Sequence, residues 1–135
     1  MNVVDSSGWL EYFGKGPHGE RFAPIIQKSA DLIVPVISLY EVFKLIALQR
    51  DEEEALKAVG LMTTGKVIDL TLEIAILAAE LSMEYKLPMA DSLILATARA
   101  HDATLWTQDE HFKGLEKVEY ISTQPGLSSA ISRIL

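Results

Sequence analysis

The sequence predicts an α/β fold in which a parallel sheet carries helices on both faces. Short β-branched apolar runs alternate along the chain with longer segments of helical periodicity. The run Leu32–Val36 is continuously apolar, as suits a strand covered on both sides. No repeat, low-complexity tract or long linker interrupts the 135 residues, a length that suits one domain.

Asn2 to Val4 forms a short buried strand. Helices follow over Ser7 to Phe13 and Glu20 to Ser29, separated by the turn-forming Gly14-Lys15-Gly16-Pro17. A strand spans Leu32 to Val36. The helix Leu39 to Arg50 has apolar residues at Leu39, Val42, Phe43 and Ile46, and Asp51 to Leu61 is a helix opened by acids, as the macrodipole favours. A strand over Val67 to Leu70 leads into a helix Leu72 to Tyr85, whose Glu73, Glu80 and Glu84 share a solvated face. A further helix runs from Met89 to His101. Strand Thr104 to Thr107, a turn of helix through Phe112 and strand Val118 to Ile121 complete the body, and Gln124 to Leu135 reads as a last amphipathic helix.

The composition excludes several classes. There are no cysteines, so disulfides and thiolate zinc sites are ruled out, and a reducing, cytoplasmic setting fits. The N-terminus lacks a basic secretory n-region. The apolar stretch near Ile74 to Leu81 is interrupted by Glu73, Glu80 and Glu84, so no membrane span is expected. The formal charge of −7 argues against a general nucleic-acid coat protein. The acid is not evenly spread. Asp51-Glu52-Glu53-Glu54 and the four acids considered next supply eight negative charges, and removing them from −7 leaves +1.

In an open parallel sheet, ligands bind outside the carboxyl ends of the strands. Asp5 closes the first strand, Glu41 falls in the first turn of the helix after the second, and Asp109 comes two residues after the fourth. Asp91 opens the helix that feeds the fourth strand. That helix runs antiparallel to its strand, so its N-terminus lies at the same edge. Taken singly, each acid is an ordinary helix-start residue, and Ser38-Leu39-Tyr40-Glu41 matches a capping box. Two details point further. Asp91 heads the stripe Ile94, Leu95 and Ala98, which should face the sheet, and an acid there is costly unless paired or metal-bound. Glu41 aligns with Leu45 and Leu48 on a helix apolar on two sides, which suggests cover on both, including by a second subunit. Carboxylates gathered at one point repel unless cations neutralise them, and hard oxygen ligands suit Mg²⁺ or Mn²⁺. Two such ions can activate water and stabilise the leaving oxygen in phosphodiester hydrolysis.

The residues Asp5-Ser6-Ser7 after a first strand, a helix-start Glu41, Asp91-Ser92-Leu93-Ile94-Leu95-Ala96-Thr97-Ala98, and Leu105-Trp106-Thr107-Gln108-Asp109-Glu110-His111-Phe112 resemble the signature of the PIN domain, and more closely its VapC-like toxin branch. The resemblance covers nearly the whole chain, as a single domain over 1–135, and the last two motifs are its specific part. It implies a Rossmann-like three-layer sandwich around a five-stranded parallel sheet. It also implies Mg²⁺- or Mn²⁺-dependent endoribonuclease activity, hydrolysing RNA to 5′-phosphate and 3′-hydroxyl ends. Asp5, Asp91 and Glu41 would hold the main metal, and Asp109 would complete a second site or position the water. Thr107 matches the family's hydroxyl residue that bonds within the acidic site, and Ser6 a similar small hydroxyl position. The resemblance further implies a homodimer and neutralisation by a small antitoxin that inserts a peptide at the site. Two alternatives stay open: a flap-type DNA nuclease on the same fold, and a non-catalytic module that binds metal and partners.

Lys15, His18, Arg21, Lys44 and Arg99 are candidates for phosphate contacts, although solvated surface charge is the commoner reading for any one of them, by about two to one. Gly60 to Lys66 resembles a P-loop but has Val67 where Ser or Thr is required, and it is more simply a helix end capped by Gly65. His101-Asp102 lacks partner histidines on suitable helices, and His101 fits a helix C-terminus. No G-x-S-x-G elbow is present. Trp9, Tyr12 and Phe13 have the spacing of a core face.

Overall fold

The protein is described here by a computed structural model covering residues 1–122. Five strands, β1 (Asn2–Val4), β2 (Leu32–Pro35), β3 (Lys66–Ile68), β4 (Thr104–Thr107) and β5 (Val118–Tyr120), make one sheet in the order β3-β2-β1-β4-β5. Every pairing is parallel, and Val3 lies opposite Ile33 on one side and Leu105 on the other.

Among the described residues, six α-helices cover the sheet: α1 (Ser6–Phe13), α2 (Gly19–Gln27), α3 (Val36–Gln49), α4 (Glu52–Met62), α5 (Leu72–Tyr85) and α6 (Met89–Ala100). The strand period of two separates the layers. Val3 and Ile33 point into a core with Ile74, Ala78 and Leu81 of α5 and Ile94, Leu95 and Ala98 of α6. Val4 and Val34 point the other way, against Trp9 of α1, Phe22 and Ile26 of α2, Val42 of α3, and Ala58 and Met62 of α4. This is the expected three-layer α/β sandwich of the PIN-like fold. The path between β3 and β4, which the strand–helix pattern does not trace, is an α-helical hairpin in which α5 packs along α6.

Local chemistry explains the boundaries. Asp5, Asp51 and Thr71 cap α1, α4 and α5 by accepting the N–H groups of Gly8, Glu54 and Ile74. Trp9 stacks on Phe13 in the core, as their spacing predicts. Two readings need correction. Helix α3 begins at Val36, directly after Pro35, so the capping box Ser38–Glu41 does not form: Ser38 Oγ is buried without a partner, and Glu41 sits in the second turn. Gly65 is not a left-handed cap either. Helix α4 already ends at Thr63, and a Cβ on Gly65 would come within 3.0 Å of Val34 and 3.1 Å of the Leu32 carbonyl oxygen, so close approach to β2 requires the glycine. The helix expected over Gln124 to Leu135 lies outside the described residues. Among the described residues no helix is long and apolar enough to cross a membrane.

Candidate active site

The order β3-β2-β1-β4-β5 reverses direction at β1: the chain builds outward through β2 and β3 on one side, then returns through β4 and β5 on the other. The crevice outside the carboxyl ends of β1 and β4 is thus the switch point where such sheets bind ligands. Asp5 follows β1 there, and Thr107, Gln108 and Asp109 follow β4.

Asp5 is 2 % exposed. Its carboxylate accepts Gly8 N–H at 2.9 Å, Ser7 Oγ at 2.8 and 2.9 Å, and Thr107 Oγ1 at 2.7 Å. Thr107 Oγ1 in turn accepts the backbone N–H of Asp109 at 2.8 Å. Burial pushes the Asp5 carboxyl up to about 7, against the opposing pull of the Thr107, Gly8 and Ser7 hydrogen bonds, and the charge of Asp109 adds to the rise.

Asp91 lies in the first turn of α6, on the face of Ile94, Leu95 and Ala98, as its stripe predicts. Burial raises its pKa, and the negative charges of Asp109 and Glu41 raise it further, while His111 lowers it. Glu41 reaches the cluster from α3, where its Oε1 accepts a 2.6 Å hydrogen bond from Ser6 Oγ. The four acids therefore share one electrostatic neighbourhood. They are not equally close. Among the described residues, the tight group is Asp91, Asp109 and His111, which offer one ligand atom each within 4.8 Å of one another. Asp5 and Glu41 stand outside that group.

Three participants escape the sequence argument. His111, in the 3-10 turn Glu110–Phe112, places Nδ1 3.1 Å from Asp91 Oδ2 and 3.2 Å from Asp109 Oδ1. The nearby acids, Asp109 foremost, raise its pKa. Glu11, an acid only 1 % exposed in an α1 otherwise without charge, accepts His18 N–H at 3.1 Å and Gln108 Nε2 at 3.2 Å. His18 Nδ1 meets Gln108 Oε1 at 3.0 Å. Gln108 lies between Thr107 and Asp109, so this trio, buried at Glu11 and His18, holds the loop that presents them. An acid in an otherwise uncharged helix was the available signal for Glu11; nothing local marks Gln108.

Of the proposed phosphate contacts, Lys15, Arg21 and Lys44 are exposed. His18 is instead buried in the Glu11 network, and the Arg99 guanidinium packs over the Tyr85 ring. Neither is a free surface cation.

The donor set fits a divalent cation. Burial first, and then the neighbouring negative charges, raise two of the carboxyl pKa values, and a positive ion relieves both; the oxygens, with one imidazole beside them, suit a hard or borderline metal.

A family model described as PIN domain matches residues 3–118. The chain belongs to the PIN domain family. PIN domains are in general nucleases that use divalent metals. No curated protein matches the sequence. Similar solved structures include a toxin–antitoxin complex from Klebsiella pneumoniae, at 24% identity and a TM-score of 0.75, covering 91% of this chain and 100% of that one. VapC20 of Mycobacterium tuberculosis, a sarcin–ricin loop cleaving toxin, is 18% identical with a TM-score of 0.66, covering 96% of this PIN domain and 95% of that chain. VapBC2 from Rickettsia felis, bound to a DNA fragment from its promoter, is 17% identical with a TM-score of 0.69, covering 90% and 97%. The shared fold is that of VapC-like toxins.

Proposed function

We propose that this PIN domain is a Mg²⁺- or Mn²⁺-dependent endoribonuclease, the VapC-like toxin of a type II toxin–antitoxin pair. The observation that carries this reading is the continuous polar chain at the switch point, running from Asp5 through Thr107 to Asp109 and through His111 to Asp91. Partner binding gives no reason to gather mutually repelling carboxylates at one point; a divalent cation does.

In this reading Asp5, Glu41, Asp91 and Asp109 are the metal-binding acids. The bound cations supply charge neutralisation at the scissile phosphate and lower the pKa of the attacking water. Thr107 fixes one Asp5 oxygen and the Asp109 backbone at once, and Ser6 orients Glu41. Glu11, His18 and Gln108 keep the Thr107–Asp109 loop in place. The products are 5′-phosphate and 3′-hydroxyl ends.

A cognate antitoxin and a cytoplasmic setting belong to the same reading. A groove of about 580 Å³ between α1, α3 and α4, lined by Leu10, Phe13, Ile46 and Leu61 with Arg50 and Lys57 at its side, offers an apolar seat for a peptide beside Ser7. We assign the opposite apolar face of α3, with Tyr40, Phe43 and Leu48, to a second copy of the chain; Leu48 is 73% exposed there. Leu48→Glu should halve the mass seen by light scattering.

Cleavage mapping on total RNA, beside single-stranded DNA, with Mn²⁺ and with Mg²⁺ tests the activity. RNA is cut at discrete positions by the native chain and not by folded Asp5→Asn. Equal cutting by both proteins, or cutting of DNA alone, overturns the proposal.

A further inference from the structure

We infer that His111 is itself a ligand of the cation held by Asp91 and Asp109, making this a mixed carboxylate–imidazole site. The inference rests on the reading of these acids as a metal site.

The geometry is suited to coordination. An octahedral ion with bonds of about 2.1 Å has adjacent ligand atoms about 3.0 Å apart. Nδ1 of His111 lies 3.1 Å from Asp91 Oδ2 and 3.2 Å from Asp109 Oδ1. The three residues each offer a ligand atom within 4.8 Å of one another, close enough for one ion to be shared among them.

The ring is also held in place. His111 N–H donates to Asp109 Oδ1 at 3.0 Å, and the next residue, Phe112, is fully buried. The turn is thus pinned on both sides of the imidazole. A solvated surface histidine has no need of either constraint. The His111 side chain is 56% exposed, while its Nδ1 faces the acids.

A nitrogen donor changes selectivity. Mg²⁺ prefers oxygen ligands, whereas Mn²⁺ and the later divalent metals accept imidazole more readily. His111 should therefore tilt this site towards Mn²⁺ over Mg²⁺.

The test uses the full chain stripped of metal and titrated calorimetrically with Mn²⁺ and Mg²⁺, native and His111→Ala, with electron spin echo spectra of the bound Mn²⁺. Folding of the variant is checked by circular dichroism. Directly bound ¹⁴N should modulate the native spectrum and vanish in the variant. The Mn²⁺ dissociation constant should rise about tenfold or more in His111→Ala, and the Mg²⁺ constant clearly less. Native protein that binds Mn²⁺ without ¹⁴N modulation overturns the inference and leaves the carboxylate site standing. Unchanged or tighter Mn²⁺ binding in His111→Ala does the same, since the ring would then merely fill the cation's place in its absence. Native protein that binds neither metal overturns the inference together with the carboxylate reading on which it rests.

Discussion

Asp5 and Asp109, 104 positions apart, are joined by one hydroxyl: Thr107 Oγ1 donates to Asp5 Oδ2 at 2.7 Å and accepts the Asp109 N–H at 2.8 Å. Thr107→Val keeps the shape and removes both bonds. The lost donor had held the Asp5 pKa down, so the acidic limb of the pH–rate profile should move to higher pH. The rate at neutral pH should fall by roughly a hundredfold as the Asp109 loop loses its anchor. Thr107→Ser restores the hydroxyl and most of the rate. A Val variant with native profile and rate would refute the role given to Thr107.

The raised pKa of Asp5 has a stability consequence. The native state holds the proton up to about pH 7, whereas the unfolded chain releases it near 3.8. The contribution of Asp5 is thus fully present below 3.8 and is lost as pH rises through about 7. In chelator, Asp5→Asn should melt higher than the native chain at pH 8, by roughly 5 °C. The gap should close towards pH 4. Scanning calorimetry at both pH values checks it.

Cation binding should oppose that loss. Metal requires the deprotonated carboxylate, so the rise in melting temperature caused by saturating Mn²⁺ should be larger at pH 8 than at pH 6. Asp5→Asn should flatten the difference. A native shift independent of pH would show that Asp5 takes no part in holding the ion.

The Glu11 network predicts a coupled loss of stability and rate. Glu11→Ala leaves His18 N–H and the Gln108 amide without their buried acceptor, at a cost of about 1–3 kcal/mol each. Gly16→Ala attacks the same point from the loop, because its Cβ would fall 2.1 Å from Glu11 Oε1. Both should lower the urea midpoint with little change in slope and reduce cleavage more than metal affinity. Native cleavage in a destabilised Glu11→Ala would confine the trio to a folding role.

The edge of the sheet was readable because strand ends and helix starts announce themselves. Asp5, Asp91 and Asp109 follow from the β-branched runs and from one apolar stripe headed by an acid. The position of Glu41 is only partly legible, since α3 starts after Pro35, three residues earlier than the Ser38 box suggests. His18 was misread because its burial depends on Glu11 and Gln108, and Gln108 is 90 positions away. Contacts of that kind are made by the tertiary fold and leave no periodic trace. The groove beside α1 is likewise a product of how three helices lean together.

The pairing of β1 with β4 also bears on how the chain is born. Asp5 is synthesised 102 positions before its hydrogen-bond partner Thr107. A nascent or prematurely terminated chain therefore carries the first acid without the strand that completes its surroundings. Topology thus keeps the acidic site incomplete until β4 has been made and has paired with β1.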